Sequence, residues 1–238
     1  MANRALILAG GAGPHRSALD AAWPGWNREV DLVVAADAGA LLADPLSLRL
    51  DLLVGDFDSL GADALARFEA AGVRVERSPA DKDASDTELA LLAAASRGAT
   101  DLVVLGAFGG RLDHALANLW ILAHPAFAGR TVSLLGDRTR VRLLTAGDPA
   151  AAGVRVGFDL SGRAGDLVTL LPLDGPATGV TTDGLRWRLA DATLPAGSSR
   201  GLSNEVTPPA GRPPRVELGG GRLLVIETTL IGSGNEHA

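Results

Sequence analysis

The sequence predicts two domains of different class: an N-terminal α/β domain with a mainly parallel sheet over residues 1–146, and a C-terminal antiparallel β-sandwich over residues 147–238. Up to about Leu144, continuously apolar runs alternate with helical patterns, as expected where crossover helices cover both faces of a sheet. After Thr145-Ala146-Gly147-Asp148-Pro149 the helical period is gone. Short runs such as Leu167–Leu171 and Leu223–Thr228 are then set apart by Gly, Pro and Asp turns. A chain of 238 residues is long enough to bury two cores.

In chain order, strands are expected at Ala5–Ala9, Leu32–Ala36, Leu52–Val54, Val73–Glu76, Leu102–Ala107 and Val132–Leu135. Ala62–Ala71, Thr87–Ser96 and Asp113–Ala123 read as helices, rich in good helix formers. Ser85-Asp86-Thr87-Glu88 has the spacing of a capping box, so the second helix should start at Ser85. Beyond Val154, Pro208-Pro209 and Pro213-Pro214 interrupt any long element. Arg138, Arg140 and Arg142 alternate along a strand and should share one face, solvated or, as the alternative, in contact with phosphate.

Composition narrows the function classes. The formal net charge is −6, without the basic excess that nucleic-acid binding needs. With no Cys, disulfide scaffolds, thiolate zinc sites and thiol nucleophiles are excluded. No stretch reaches the roughly 18 apolar residues of a membrane span. The apolar run at Ala5–Ala9 ends in Gly10-Gly11 rather than a cleavage site, so a soluble, cytoplasmic protein is expected. Of the 22 basic residues 21 are Arg, and the one Lys, Lys82, sits inside an acidic cluster.

In open α/β sheets ligands bind beyond the carboxyl ends of the strands, and the acids gather there. Asp37 closes the second strand; Asp56 and Asp58 follow the third. Asp81, Asp83 and Asp86 lie before the capped helix, and Gly109-Gly110-Arg111-Leu112-Asp113-His114 follows the fifth strand. Each acid alone reads as well as a turn or helix-end residue. Together, like charges on four neighbouring loops call for a cation, and an Asp-x-Asp pair suits Mg²⁺. Arg111 and Lys82 offer positive charge to a phosphate. There is no GxxxxGK phosphate loop, GxSxG elbow or HExxH zinc motif, and Gly10-Gly11-Ala12-Gly13 is only a weak Gly-rich turn.

Ala35-Ala36-Asp37-Ala38-Gly39, Gly55-Asp56-Phe57-Asp58-Ser59, Asp81-Lys82-Asp83-Ala84-Ser85-Asp86 and Gly109-Gly110-Arg111-Leu112-Asp113-His114 resemble, in order and spacing, the thiamine pyrophosphokinase family. Gly179 to Leu189, with Gly184-Leu185-Arg186-Trp187, and Gly197 to Glu205, with Ser203-Asn204, continue the match. Ala38 stands where the family usually has Gly, and Ser85 where it usually has Thr. Some members carry Gln at the position of Lys82.

The resemblance implies an α/β domain joined to a β-sandwich, and a homodimer with active sites at the subunit interface. It implies transfer of pyrophosphate from ATP to the hydroxyethyl oxygen of thiamine, with AMP released. It assigns Asp56, Asp58 and Asp86 to Mg²⁺, and Asp37, Lys82, Asp83, Arg111 and Asp113 to the catalytic lining. Trp187 would pack on thiamine, with Ser203 and Asn204 contacting its pyrimidine side. A non-catalytic nucleotide or thiamine sensor and a metal-dependent phosphohydrolase are the competing readings. The complete acid set disfavours the first, and the thiamine-like second domain disfavours the second.

Overall fold

The computed structural model describes residues 3–79, 83–147, 155–207 and 211–230. It divides into two compact units, Met1–Asp137 and Arg138–Ala238.

In the first unit the elements are β1 (Arg4–Leu8), α1 (Arg16–Ala22), β2 (Leu32–Ala36), α2 (Ala43–Leu46), β3 (Leu52–Gly55), α3 (Ala62–Ala70), β4 (Arg74–Arg77), α4 (Asp86–Ser96), β5 (Asp101–Leu105), α5 (Leu112–Ile121) and β6 (Thr131–Leu135). All six strands are parallel, in the order β6-β5-β1-β2-β3-β4. The central strands are buried after their first residue, because helices cover both faces. Leu6, Leu8, Leu53, Val103 and Leu105 pack with Leu19, Trp23, Trp26 and Phe68 on one side. On α4, Ala90, Leu91, Ala94 and Ala95 are buried where the helix meets β2 and β3. The indole N–H of Trp23 donates to the Gly136 carbonyl at 3.0 Å, which satisfies the one polar atom that this ring buries. The Ser85 hydroxyl accepts the Glu88 N–H at 3.2 Å, as the capping box requires. Among the described residues, no helix is long and apolar enough to cross a membrane.

A 3-10 turn, Asp37–Leu42, follows β2 and presses its backbone onto β1. A Cβ on Gly39 would lie 2.0 Å from the Leu8 carbonyl oxygen. Gly39→Ala is therefore expected to lift this turn and to lower stability by about 1–3 kcal/mol in urea unfolding. Gly10→Ala, whose Cβ meets nothing nearer than 3.8 Å, should be close to neutral.

The second unit is all strand: β7 (Thr139–Ala146), β8 (Val156–Asp159), β9 (Leu167–Pro172), β10 (Ala177–Asp183), β11 (Ala192–Leu194), β12 (Asn204–Glu205), β13 (Arg215–Leu218) and β14 (Gly221–Thr228). Two antiparallel sheets, β12-β9-β14-β7 and β11-β10-β13-β8, enclose one core. Leu144, Val168, Leu170, Leu223 and Val225 meet Ala177, Val180, Val216 and Leu218 there. β7, which the sequence pattern places before the change at Gly147, pairs along its whole length with β14.

The solvated Arg face is corrected by this pairing for Arg140 and Arg142, while Arg138, just before β7, is exposed. Arg140 stands directly across from Glu227, and Arg142 is diagonal to it. Both guanidinium groups ion-pair with that carboxylate, at 2.7 and 2.8 Å, and all three side chains are largely buried. Alternation fixes which side chains share a face; it does not say what covers the face.

Candidate active site

The strand order reverses between β1 and β5, whose connections leave in opposite directions; it is at such a reversal, at the carboxyl ends of the strands, that open α/β sheets form a ligand crevice. The loops after these two strands are bonded together. Gly11 N–H donates to the Gly106 carbonyl at 2.9 Å, and Ala12 N–H to the Phe108 carbonyl at 2.7 Å. Gly106 has φ +73°, and a Cβ there would lie 2.3 Å from the Ala9 carbonyl oxygen, so only glycine fits. The buried Asn118 of α5 donates to the Ala107 carbonyl at 2.9 Å and ties the helix to the same loop.

The acids sit beside this crevice, beyond β2 and β3. The Phe57 side chain is buried in the core and its backbone is left-handed at φ +67°. It anchors the loop while its neighbours, Asp56 and Asp58, stay at the surface of the unit. Asp37 is left-handed too, at φ +45°. Two such non-glycine residues in one cluster are a cost that a functional site tolerates. One carboxylate oxygen each of Asp37, Asp56 and Asp58 lies within 4.8 Å of the others. Asp86, the first residue of α4, is outside that group of three but lies near Asp37: its Oδ1 is 3.3 Å from where a Cβ on Gly55 would be, and the Asp37 Cβ is 3.2 Å from the same point.

Asp37 is only 8% exposed, and its Oδ1 is buried without a hydrogen-bond partner among the described residues. Burial pushes its carboxyl above the ordinary range, and the charges of Asp86 and Asp58 push the same way. The Ser59 hydroxyl and the Ala38 N–H act against them. Asp56 Oδ1 accepts the Asp58 N–H at 3.2 Å, and Asp58 Oδ1 accepts the Ser59 hydroxyl at 2.8 Å. An orphaned buried oxygen among converging carboxylates is a donor set of the kind a hard divalent cation takes.

Arg111 and Asp113 are paired with each other at the start of α5, through Nε–Oδ1 at 3.2 Å and Nη2–Oδ2 at 2.6 Å. Both are exposed. Their hydrogen bonds and charges hold Asp113 below, and Arg111 above, its ordinary value. Asp83 is exposed two residues before the Ser85 cap. Asp81 and Lys82 lie outside the described residues. Nothing in the sequence marks a further pair at the same sheet end: His15 Nδ1 lies 2.8 Å from Asp137 Oδ2, which raises the imidazole above its ordinary value.

In the second unit Trp187 is 57% exposed, so it is not a core residue. Ser203 is exposed with a left-handed backbone at φ +52°, and its N–H donates to Thr169 Oγ1 at 3.0 Å. Asn204 is buried and bonded on both sides of its amide to the Trp187 backbone.

Residues 25–134 match the family model for the thiamin pyrophosphokinase catalytic domain, and residues 155–212 the model for its vitamin B1 binding domain. The chain belongs to the thiamin pyrophosphokinase family of enzymes. A thiamine pyrophosphokinase from Oryza sativa is 28% identical over 202 residues, 76% of this chain and 74% of that protein. One from Bacillus subtilis is 24% identical over 207 residues, covering 86% and 91%. Among solved structures, a thiamin pyrophosphokinase family protein from Enterococcus faecalis aligns with TM-score 0.74 at 28% identity, over 95% of this chain and 99% of that one. The Bacillus subtilis thiamine pyrophosphokinase structure aligns with TM-score 0.78 at 22% identity over the same shares. The acid cluster, Arg111 and Asp113 fall inside the thiamin pyrophosphokinase catalytic match. Trp187, Ser203 and Asn204 fall inside the vitamin B1 match.

Proposed function

We propose that the chain transfers pyrophosphate from ATP to thiamine, giving thiamine diphosphate and AMP. The observation that carries this reading is the convergence of Asp37, Asp56, Asp58 and Asp86 beside the crevice of a chain in this family. Asp56, Asp58 and Asp86 would hold Mg²⁺, with an Asp37 oxygen close to those of Asp56 and Asp58. When bound, the cation supplies neutralisation of phosphate charge and a template for the polyphosphate.

The remaining residues position and neutralise. Arg111 presents a guanidinium to phosphate oxygens, and its bond to Asp113 keeps the fork oriented. Lys82 would add a second cation. The thiamine hydroxyl oxygen attacks the β-phosphorus, the bond to the α–β bridging oxygen breaks, and AMP departs with that oxygen. The hydroxyl proton goes to an acid of the site. Asp113 is committed to Arg111, which leaves Asp37 and Asp83 for that role. The exposed Trp187 indole suits the cationic thiazolium or the flat pyrimidine, and Ser203 lies on the same unit.

A cytoplasmic location and a homodimer are part of this reading. The feature that favours a second copy is the stripe of exposed Leu112, Leu116 and Trp120 at four-residue spacing along α5.

With ATP, Mg²⁺ and thiamine together, AMP and thiamine diphosphate should form in equal amounts, and neither should form if one of the three is left out. Phosphate release without thiamine would point instead to a phosphohydrolase. Binding without turnover would point to a sensor.

A further inference from the structure

Two segments that the sequence presents as separate motifs form one ladder in the second unit. Leu185 bridges Val206 in antiparallel register, and both are buried. Arg186 N–H donates to the Glu205 carbonyl, and Thr207 N–H to the Gly184 carbonyl, each at 2.8 Å. Extending the register by two residues sets Trp187 against Asn204.

At that point the side chain of Asn204 replaces a strand. Its Oδ1 accepts the Trp187 N–H at 3.0 Å, and its Nδ2 donates to the Trp187 carbonyl at 2.8 Å. The backbone dictates which end of the amide is which, since an N–H needs an acceptor and a C=O a donor. Asn204 is 8% exposed, so the pair of bonds is sheltered from competing water. The indole just beyond is 57% exposed, with the Arg186 guanidinium carbon 5.1 Å from the ring centroid and that guanidinium held by Glu205 at 2.8 Å. An exposed aromatic thus stands on a doubly bonded backbone with a paired cation beside its ring.

We infer that Asn204 is a positioning residue: it acts on the thiamine side of the reaction by fixing the Trp187 platform, and it does not touch the pyrimidine through its amide. This rests on the proposed thiamine reading, and it differs from the role that the family resemblance implies for Asn204. The amide edge facing the Trp187 backbone uses one N–H and one lone pair of Asn204, and the N–H and lone pair left over point away from each other, so no second donor–acceptor edge remains for a ring. Asp at this position keeps the acceptor and loses the donor, and Ala loses both.

Two measurements test it. The first needs no activity: the Trp187 amide should exchange with solvent about tenfold faster in Asn204→Ala than in the unaltered chain. Unchanged exchange would overturn the clamp. The second is a double-mutant cycle on steady-state kinetics. Asn204→Ala should raise KM for thiamine about tenfold, with Asn204→Asp in between, while KM for ATP stays within about twofold. In a Trp187→Ala background the same Asn204 change should shift the thiamine KM by less than about twofold. An equal factor in both backgrounds would mean that Asn204 touches the ligand directly, and would overturn the inference. So would a thiamine KM indifferent to Trp187→Ala. Failure of the broader reading is seen separately, as an unaltered chain that makes no thiamine diphosphate. If Asn204→Ala does not fold, the Asp variant carries the kinetic cycle alone, because its retained acceptor still protects the Trp187 N–H.

Discussion

Asp56→Asn is expected to lower kcat by about a thousandfold, more than the 10–100-fold typical of losing an outer partner of a metal ligand, while the metal-free fold stays as stable or gains. The reason lies in the charge balance of the cluster. Asp37, Asp56 and Asp58 approach within 4.8 Å and Asp86 adds a fourth carboxylate, so without a cation they repel one another. Removing one charge relieves that repulsion and removes a ligand.

Asp37→Asn sharpens the test through its pH dependence. The folded state raises the Asp37 carboxyl above its unfolded value near 3.8, so folding favours the protonated form. The stability this contributes is fully present below the unfolded value and is lost as pH rises through the folded one. At neutral pH the ionised Asp37 is therefore a cost, and Asp37→Asn should melt higher than the parent in metal-free buffer. At pH 3 the difference should vanish. Adding Mg²⁺ should stabilise the parent by mass action and leave Asp56→Asn nearly unmoved. Full turnover of Asp56→Asn at saturating Mg²⁺, or a large loss of metal-free stability, would show that these acids hold the fold and not a cation.

These acids could be found in the sequence because a parallel sheet turns chain position into place. Any residue just beyond a strand of such a sheet lies on one edge, so Asp37, Asp56 and Asp58 had to be neighbours once β2 and β3 were read as strands. The Ser85 capping box located α4, and with it Asp86. Local pattern does not carry depth or long-range pairing. The burial of Asp37, its left-handed backbone and its orphaned oxygen depend on the turn pressing against β1. His15 and Asp137 are 122 positions apart. Asn204 looks like any polar turn residue until the Trp187 backbone is placed beside it. α1 escaped detection because its seven residues bury one side chain, Leu19, too few for a helical period to register.

The same limit governs β7, and it leads to the largest stability effect expected in this molecule. Glu227→Ala should destabilise the second unit by about 3–5 kcal/mol. The Glu227 carboxylate is 2% exposed and accepts from Arg140 Nε at 2.7 Å, Arg140 Nη2 at 2.8 Å, Arg142 Nη2 at 2.8 Å and the Ser161 N–H at 2.7 Å. Arg142 stacks at 3.6 Å on the Phe158 ring, donates to the Asp159 carbonyl, and buries an Nε with no partner among the described residues. Without Glu227 two guanidinium groups remain in a dry place. Burial pushes the Arg142 pKa down, but a guanidinium does not lose its proton to escape the penalty. The cost thus comes from what is left behind and not from the strength of the bonds removed. A triple change, Arg140→Leu with Arg142→Met and Glu227→Leu, removes all three charges together and should recover most of the loss. Urea unfolding of the two variants decides the matter. A Glu227→Ala change costing less than about 1 kcal/mol would mean that the Arg face is solvated after all.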